Sequence, residues 1–169
     1  MSVLQLDGLT IRSAIRSEAE YLSDLALRSK AYWGYSRDFM TDCRQELSYT
    51  QQQIEQHEYS FVVAELEGAI AGFFAIEQLS ATEFELEALF VEPLYIGRGI
   101  GRALMARAKQ MAAELGGEML IVQSDPHAEG FYRALGGQPT GRRESDSIPG
   151  RYLSTFVIPL QYVAIESDD

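Results

Sequence analysis

The chain has 169 residues, 46% of them apolar and 23% charged, with a formal net charge of −11. That length suits one folded domain with a real core, and the acidic balance argues against the cationic surfaces that nucleic acids and anionic membranes select. No run of about twenty apolar residues offers a membrane span, residues 1–8 do not read as a secretory leader, and the single cysteine, Cys43, excludes an intramolecular disulfide. The expectation is one cytoplasmic domain over residues 1–169.

Residues 9–15 alternate apolar and polar side chains, the pattern of a half-buried strand. Ser17 and Glu20 have capping-box spacing. Ala19, Leu22, Leu25 and Ala26 follow at helical intervals to about Tyr32, and Gly34 stops the helix. Ser36 is placed to cap a second helix through Phe39, Met40, Cys43 and Leu47, which makes Cys43 a buried structural thiol. Thr50 and Gln53 cap a short third helix. From Tyr59 the period drops to two. Tyr59–Leu66 and residues 69–79 read as a hairpin turning at Glu67-Gly68. Residues 82–91 make a third antiparallel strand, which Pro93 ends.

In that strand Glu83, Glu85 and Glu87 share one face, while Phe84, Leu86 and Ala88 share the other beneath a helix. Residues 100–115 read as that helix, with Leu104, Ala108, Met111 and Leu115 on one side and Gly116-Gly117 at its end. Residues 118–124 form a short apolar strand of a sheet interior. Ser124 or Asp125 caps a further helix with Pro126 at its first position, ending at Gly136-Gly137. Residues 138–146 and 152–160 close the sheet, and the acidic tail at 165–169 is expected to fray.

The chemistry concentrates at the junction of the third antiparallel strand and the helix after it. Gly97, Gly99 and Gly101 alternate there. Such a junction aims backbone N–H groups at one point, at the positive end of a helix dipole, and so makes a phosphate cradle. It is neither a Rossmann fingerprint, since Arg102 occupies the place of the last glycine, nor a Walker loop, since no Gly-Lys-Ser/Thr follows. Two histidines and one cysteine, without metal-ligand spacing, give no reason to expect a metal.

Ile96-Gly97-Arg98-Gly99-Ile100-Gly101 resembles the coenzyme A loop of the GNAT (GCN5-related) N-acetyltransferases, Gln/Arg-x-x-Gly-x-Gly/Ala, with Ile96 at the entry position. Ser124 to Gly137 resembles that family's Asn-x-x-Ala-x-x-Phe-Tyr-x-x-x-Gly segment. Ala128, Phe131, Tyr132 and Gly136 match, and Asp125 replaces the asparagine.

The resemblance implies an α+β fold, an α/β/α sandwich. Its mixed, mostly antiparallel central sheet carries helices on both faces. It also implies acetyl-CoA as co-substrate and transfer of the acetyl group to a primary amine by direct attack in a ternary complex. On this reading Gly97, Arg98, Gly99, Ile100, Gly101 and Arg102 hold the pyrophosphate. A bulge near Phe90 or Val91 splays the strand, so that Leu89, Phe90 and Val91 line the coenzyme slot and a backbone N–H of Phe90 or Val91 polarises the thioester carbonyl. Asp125 and His127 flank the coenzyme, His127 as a phosphate contact or a plain surface residue.

Glu87, with Glu85 next to it, is the implied general base. Tyr132 protonates the leaving thiolate, and Phe131 is the core aromatic of the pair. Tyr32, Trp33, Tyr35 and Phe39 cluster where the family covers its acceptor site, either as an aromatic wall for the amine or as packing between the first two helices. Arg151, in the loop before the last strand, either clamps a substrate carboxylate or pairs with an acidic residue of this chain. A small-molecule amine is the expected partner, and a homodimer through the last strand is conceivable. The alternatives are a non-catalytic acyl-CoA-binding or sensing module, or an acyltransferase with a longer acyl donor or a protein acceptor.

Overall fold

The computed structural model describes residues 7–161; the acidic tail lies outside that span. The strands are β1 (Leu9–Ser13), β2 (Tyr59–Leu66), β3 (Ala69–Gln78), β4 (Glu83–Val91), β5 (Met119–Ser124), β6 (Gln138–Glu144) and β7 (Tyr152–Pro159). The α-helices are α1 (Ala19–Ala31), α2 (Arg37–Cys43), α3 (Gln51–Glu55), α4 (Ile100–Glu114) and α5 (Glu129–Ala134). The strands make one sheet in the order β1-β2-β3-β4-β5-β7-β6, and β4–β5 is its parallel pair. This is the mixed, mostly antiparallel α+β architecture that the motifs implied. Among the described residues no helix is long and apolar enough to cross a membrane.

Strand alternation divides the core in two. On one face Val62, Phe74, Ile76, Phe84 and Leu86 pack beneath Leu104, Met105 and Ala108 of α4. On the other, Phe61, Val63, Phe73 and Ala75 pack beneath Leu22, Leu25 and Ala26 of α1, with Cys43, Leu47 and Tyr49 beside them. Cys43 is fully buried, as its helical position suggested.

Local signals were partly displaced by tertiary contacts. Glu18, rather than the Ser17–Glu20 pair, caps the first helical segment: its carboxylate accepts the Ile15 N–H at 2.9 Å. Arg12 fixes that carboxylate by two hydrogen bonds of 2.7 and 3.0 Å, and also reaches Glu65. Ser36 and Thr50 cap α2 and α3 as expected. α2 stops at Cys43 instead of Leu47, because Arg44 bonds back to Thr41 in a tighter turn.

The decisive irregularity lies in β4. Ala75 of β3 faces Ala88, but Ile76 faces Leu86, so Glu87 is the extra residue of a β-bulge. The bulge therefore sits at Glu87, ahead of the expected place near Phe90 or Val91. It also reverses the facing of the rest of the strand. Phe84 and Leu86 point toward α4, whereas Ala88 joins the α1 side, contrary to the simple alternation of the sequence. Parallel pairing to β5 stops at Leu86 opposite Val122. Beyond that point β4 and β5 diverge, and residues 87–91 have no partner on the β5 side.

The last strand is not an edge. β7 is bonded to β5 on one side and β6 on the other, so an edge-to-edge dimer through it is not available.

Candidate active site

The glycine loop has the geometry of an anion cradle. Gly97 and Gly99 both adopt φ +86°, a left-handed conformation that side chains other than glycine rarely take, and a Cβ at either would stand in open space. Gly99 is the N-cap of α4 and supplies no side chain to cap it. Among the described residues nothing accepts the N–H groups of residues 97–102. They lie at the N-terminal, positive end of a 15-residue helix. Arg98 lies over the Tyr95 ring at 5.6 Å, and Arg102 is exposed in the first turn. Gly101 differs from its neighbours. A Cβ there would meet Val91 at 3.7 Å and Phe131 at 3.8 Å, ordinary contacts away from the open side of the loop. It does not face the phosphate space as expected.

Past the bulge, the backbone alternates toward β3 and toward the gap beside β5. The Glu92 N–H bonds to Ala71 at 2.8 Å. The same alternation turns Phe90 toward β3, and Leu89 and Val91 toward the gap. Leu89 and Val91, rather than Phe90, thus present free amides where the strands part. Arg28 of α1 grips Glu92 at 2.8 and 3.0 Å and holds the end of β4 under that helix.

Glu87 is exposed on the sheet face opposite the one that Leu86 buries. Its carboxylate and those of Glu77 and Glu85 lie within 4.8 Å of one another. Restricted solvation of the site, and then the charges of Glu85, Glu77, Glu46 and Asp146, push the Glu87 carboxyl up to about 7. Burial followed by the charges of Glu85 and Glu58 raises Glu77 as well. Glu85 differs: Arg143 of β6 holds it at 2.8 Å. Glu83 lies at the start of β4, where Met119 pairs with it.

Tyr132 is only 7% exposed, packed against the core ring of Phe156, and its hydroxyl makes no hydrogen bond to the described residues. Burial, reinforced by the charge of Asp125, holds its proton more tightly than an ordinary phenol. Phe131, expected to be the core residue of the pair, is only half-buried and lines the glycine loop at Gly101.

Asp125 caps the turn that leads into α5. It accepts the His127 N–H at 2.9 Å and bonds His127 Nδ1 at 2.8 Å. Its second oxygen accepts the Tyr35 hydroxyl at 2.7 Å, with Arg151 at 3.5 Å. Burial alone would raise this carboxyl, but the bonds from Tyr35 and His127 hold it below the ordinary range. Tyr35 is pushed up to about 12 by burial and by Asp125. Arg151 donates to the Tyr35 oxygen at 3.1 Å and covers the Phe39 ring at 4.8 Å. Its guanidinium is therefore committed to Asp125 and Tyr35 rather than free for a substrate carboxylate.

Trp33 stacks on His127 at 4.9 Å, and Tyr32 meets Trp33 edge-on. Both aromatics remain about half exposed, at 45% for Trp33 and 55% for Tyr32. His127 is thus the centre of a stacked, hydrogen-bonded cluster rather than an isolated surface side chain.

Sequence reasoning missed Glu46, Tyr49, Glu77 and Asp146, which come from separate elements and share no spacing. The one available signal for Glu77 was its place in the strand paired to the glutamates of β4.

The chain matches the model of the acetyltransferase (GNAT) domain over residues 18–147. It is 37% identical over 67 residues to a peptidyl-lysine N-acetyltransferase, YjaB, of Escherichia coli, covering 40% of this chain and 44% of that protein. The chain spans about half the length of the curated relatives it matches. A GCN5-related N-acetyltransferase from Rhodopseudomonas palustris superposes with TM-score 0.74 at 19% identity, over 94% of this chain and 100% of that one. The PaiA N-acetyltransferase of Thermoplasma acidophilum, crystallised with coenzyme A, superposes with TM-score 0.67 at 18% identity, over 87% and 97%. With its uncapped glycine loop, its parted strands and a family match over most of its length, the chain belongs to the GNAT acetyltransferase family.

Proposed function

We propose that this protein moves the acetyl group of acetyl-CoA onto a primary amine by direct attack in a ternary complex. The observation that carries the reading is Glu87, the extra residue of the β4 bulge, beside the parted strands and with its carboxyl near 7. An alkylammonium loses its proton near pH ~10, so a base poised near neutrality takes that proton better than an ordinary carboxylate near ~4. Glu85, tied to Arg143, acts by its charge on Glu87.

The open loop fits a pyrophosphate, because residues 97–102 supply N–H groups without acceptors. Acetyl-CoA supplies an activated thioester. Leu89 and Val91 amides donate to the carbonyl oxygen as it gains charge. Glu87 first takes the ammonium proton and passes it to solvent; as the neutral amine nitrogen then bonds to the carbonyl carbon and the carbon–sulfur bond breaks, Glu87 takes the second proton from nitrogen. Tyr132 gives its hydroxyl proton to the departing sulfur, and solvent returns the proton from Glu87 to Tyr132 after the products leave. Tyr32, Trp33 and Tyr35 border the acceptor side, and a small amine suits a cleft walled by aromatic rings and carboxylates.

The test is thiol release from acetyl-CoA across a panel of primary amines, with calorimetric binding of acetyl-CoA and NADH as control. Saturable binding of acetyl-CoA alone, with amine-dependent thiol release, is expected. Binding without release toward any amine would replace the transferase by an acyl-CoA-binding module. No binding to the folded chain would return the glycines to a mere turn.

A further inference from the structure

The loop of residues 32–36 joins α1 to α2. Among the described residues, every backbone hydrogen bond it makes stays within the loop and those two helices. Side chains tie it to the rest of the fold. Trp33 stacks on His127 with the two rings 11° apart, and the Tyr35 hydroxyl donates to Asp125. Nδ1 of His127 is itself held by Asp125. Both ties therefore end on one carboxylate, at the turn between β5 and α5.

A second loop ends there too. Residues 145–151 join β6 to β7, and the Ser145 N–H closes that loop on the Arg151 carbonyl at 2.7 Å. The Arg151 side chain then reaches both Tyr35 and Asp125. The turn itself belongs to the coenzyme side. Phe131 of α5, the helix that follows it, lies beside Gly101 of the glycine loop. An amide could not replace this carboxylate. Its one oxygen could keep the His127 N–H, but its nitrogen would then face Tyr35 and compete with Arg151 for the phenol oxygen.

We propose that Asp125 is a positioning residue that pins two loops onto the turn after β5: residues 32–36 through Tyr35 and His127, and residues 145–151 through Arg151. The acceptor side is thereby set from the coenzyme side, and Trp33 is held as a fixed wall. The inference rests on the reading of Tyr32, Trp33 and Tyr35 as the border of the acceptor. Four side chains give up their freedom to one carboxylate before any amine arrives, so the amine meets a wall already in place.

Trp33 is the single tryptophan of the chain, so intrinsic fluorescence reports on this loop. The experiment compares the full chain as wild type, Asp125→Asn and Tyr35→Phe. Arg12→Gln serves as a control that breaks the ion pairs to Glu18 and Glu65, away from the turn. Each is read by melting temperature, acrylamide quenching of Trp33, calorimetric binding of coenzyme A, and thiol release from acetyl-CoA with n-butylamine. Asp125→Asn is expected to raise the quenching constant at least about two-fold. Coenzyme A affinity should stay within about two-fold, while KM for n-butylamine rises about ten-fold and kcat changes less. Tyr35→Phe should move in the same direction, and it decides if Asp125→Asn does not fold. Arg12→Gln should lower the melting temperature and leave the quenching unmoved. Unchanged quenching in both loop variants, or an equal rise in Arg12→Gln, would overturn the proposal. Coenzyme A affinity lost with quenching unmoved would make Asp125 a coenzyme contact instead. Raised quenching with an unmoved KM would remove the acceptor role. Wild type that releases no thiol with n-butylamine or any other primary amine would sink the transferase reading, and the quenching would still decide whether Asp125 pins Trp33.

Discussion

The hydroxyl of Tyr35 lies 2.7 Å from Oδ2 of Asp125, although ninety residues separate the two. That bond joins the loop after α1 to the end of β5, and Arg151 closes the bridge from the loop before β7. Three chain segments thus meet at a carboxylate where the family motif has an amide. An amide could not accept from both Tyr35 and Arg151 with comparable strength, because only the carboxylate carries the charge.

Tyr35→Phe keeps the stacking on Phe39 but removes the bridging hydroxyl. We expect a loss of about 1.5 kcal/mol in urea unfolding at pH 7, the size of a hydrogen bond to a charged group. The sign with pH follows from the depressed Asp125 carboxyl. Its contribution is present above the ordinary aspartate value of about 4 and is lost as pH falls through the folded value. The difference between wild type and variant should therefore shrink in acid.

Glu87→Gln should lower turnover by about 10²–10⁴-fold at neutral pH while acetyl-CoA affinity stays within about two-fold. In the wild type, kcat/KM should climb with pH up to about 7 and then level, since Glu87 must be ionised to act. Stability runs the other way. A carboxyl raised on folding binds its proton more tightly in the native state, so its ionisation destabilises the fold as pH rises from about 4 to about 7. Glu87→Gln should thus raise Tm at pH 8 and leave it unchanged at pH 4. The gain is on the order of 1 kcal/mol or less, because solvent screens this exposed side chain.

Tyr132→Phe separates chemistry from packing. Turnover should drop by about 10²-fold with coenzyme A affinity retained. The hydroxyl has no protein partner to lose among the described residues, so the variant should unfold at equal or higher denaturant concentration than wild type. Unchanged turnover at saturating substrates would remove the acid role.

The glycines of the loop should respond unequally. Gly99→Val forces a β-branched side chain into φ +86°, at a cost of at least about 1–2 kcal/mol, and fills the open side of the cradle. Calorimetry should show acetyl-CoA binding lost. Gly101→Ala places its methyl group in ordinary contact with Val91 and Phe131, and should bind within a few-fold of wild type.

The sequence by itself determined the glycine loop between β4 and α4, because only glycine enters the left-handed region at Gly97 and Gly99 without strain and the helix after it is amphipathic. It also determined the hairpin of β2 and β3, the burial of Cys43 and the shared inward face of Phe84 and Leu86, which rest on period and turn chemistry alone. The bulge at Glu87 was decided only by the tertiary structure. A bulge is a relation between two strands, and nothing in β4 read alone says which residue its partner will skip. For the same reason alternation misplaced Ala88. The acidic surroundings of Glu87 have the same origin: Glu77 comes beside it from β3, and the charges of Glu46 and Asp146 act on it from separate elements. The electrostatic work of bringing like charges together is set by distances in space, which spacing along the chain does not encode.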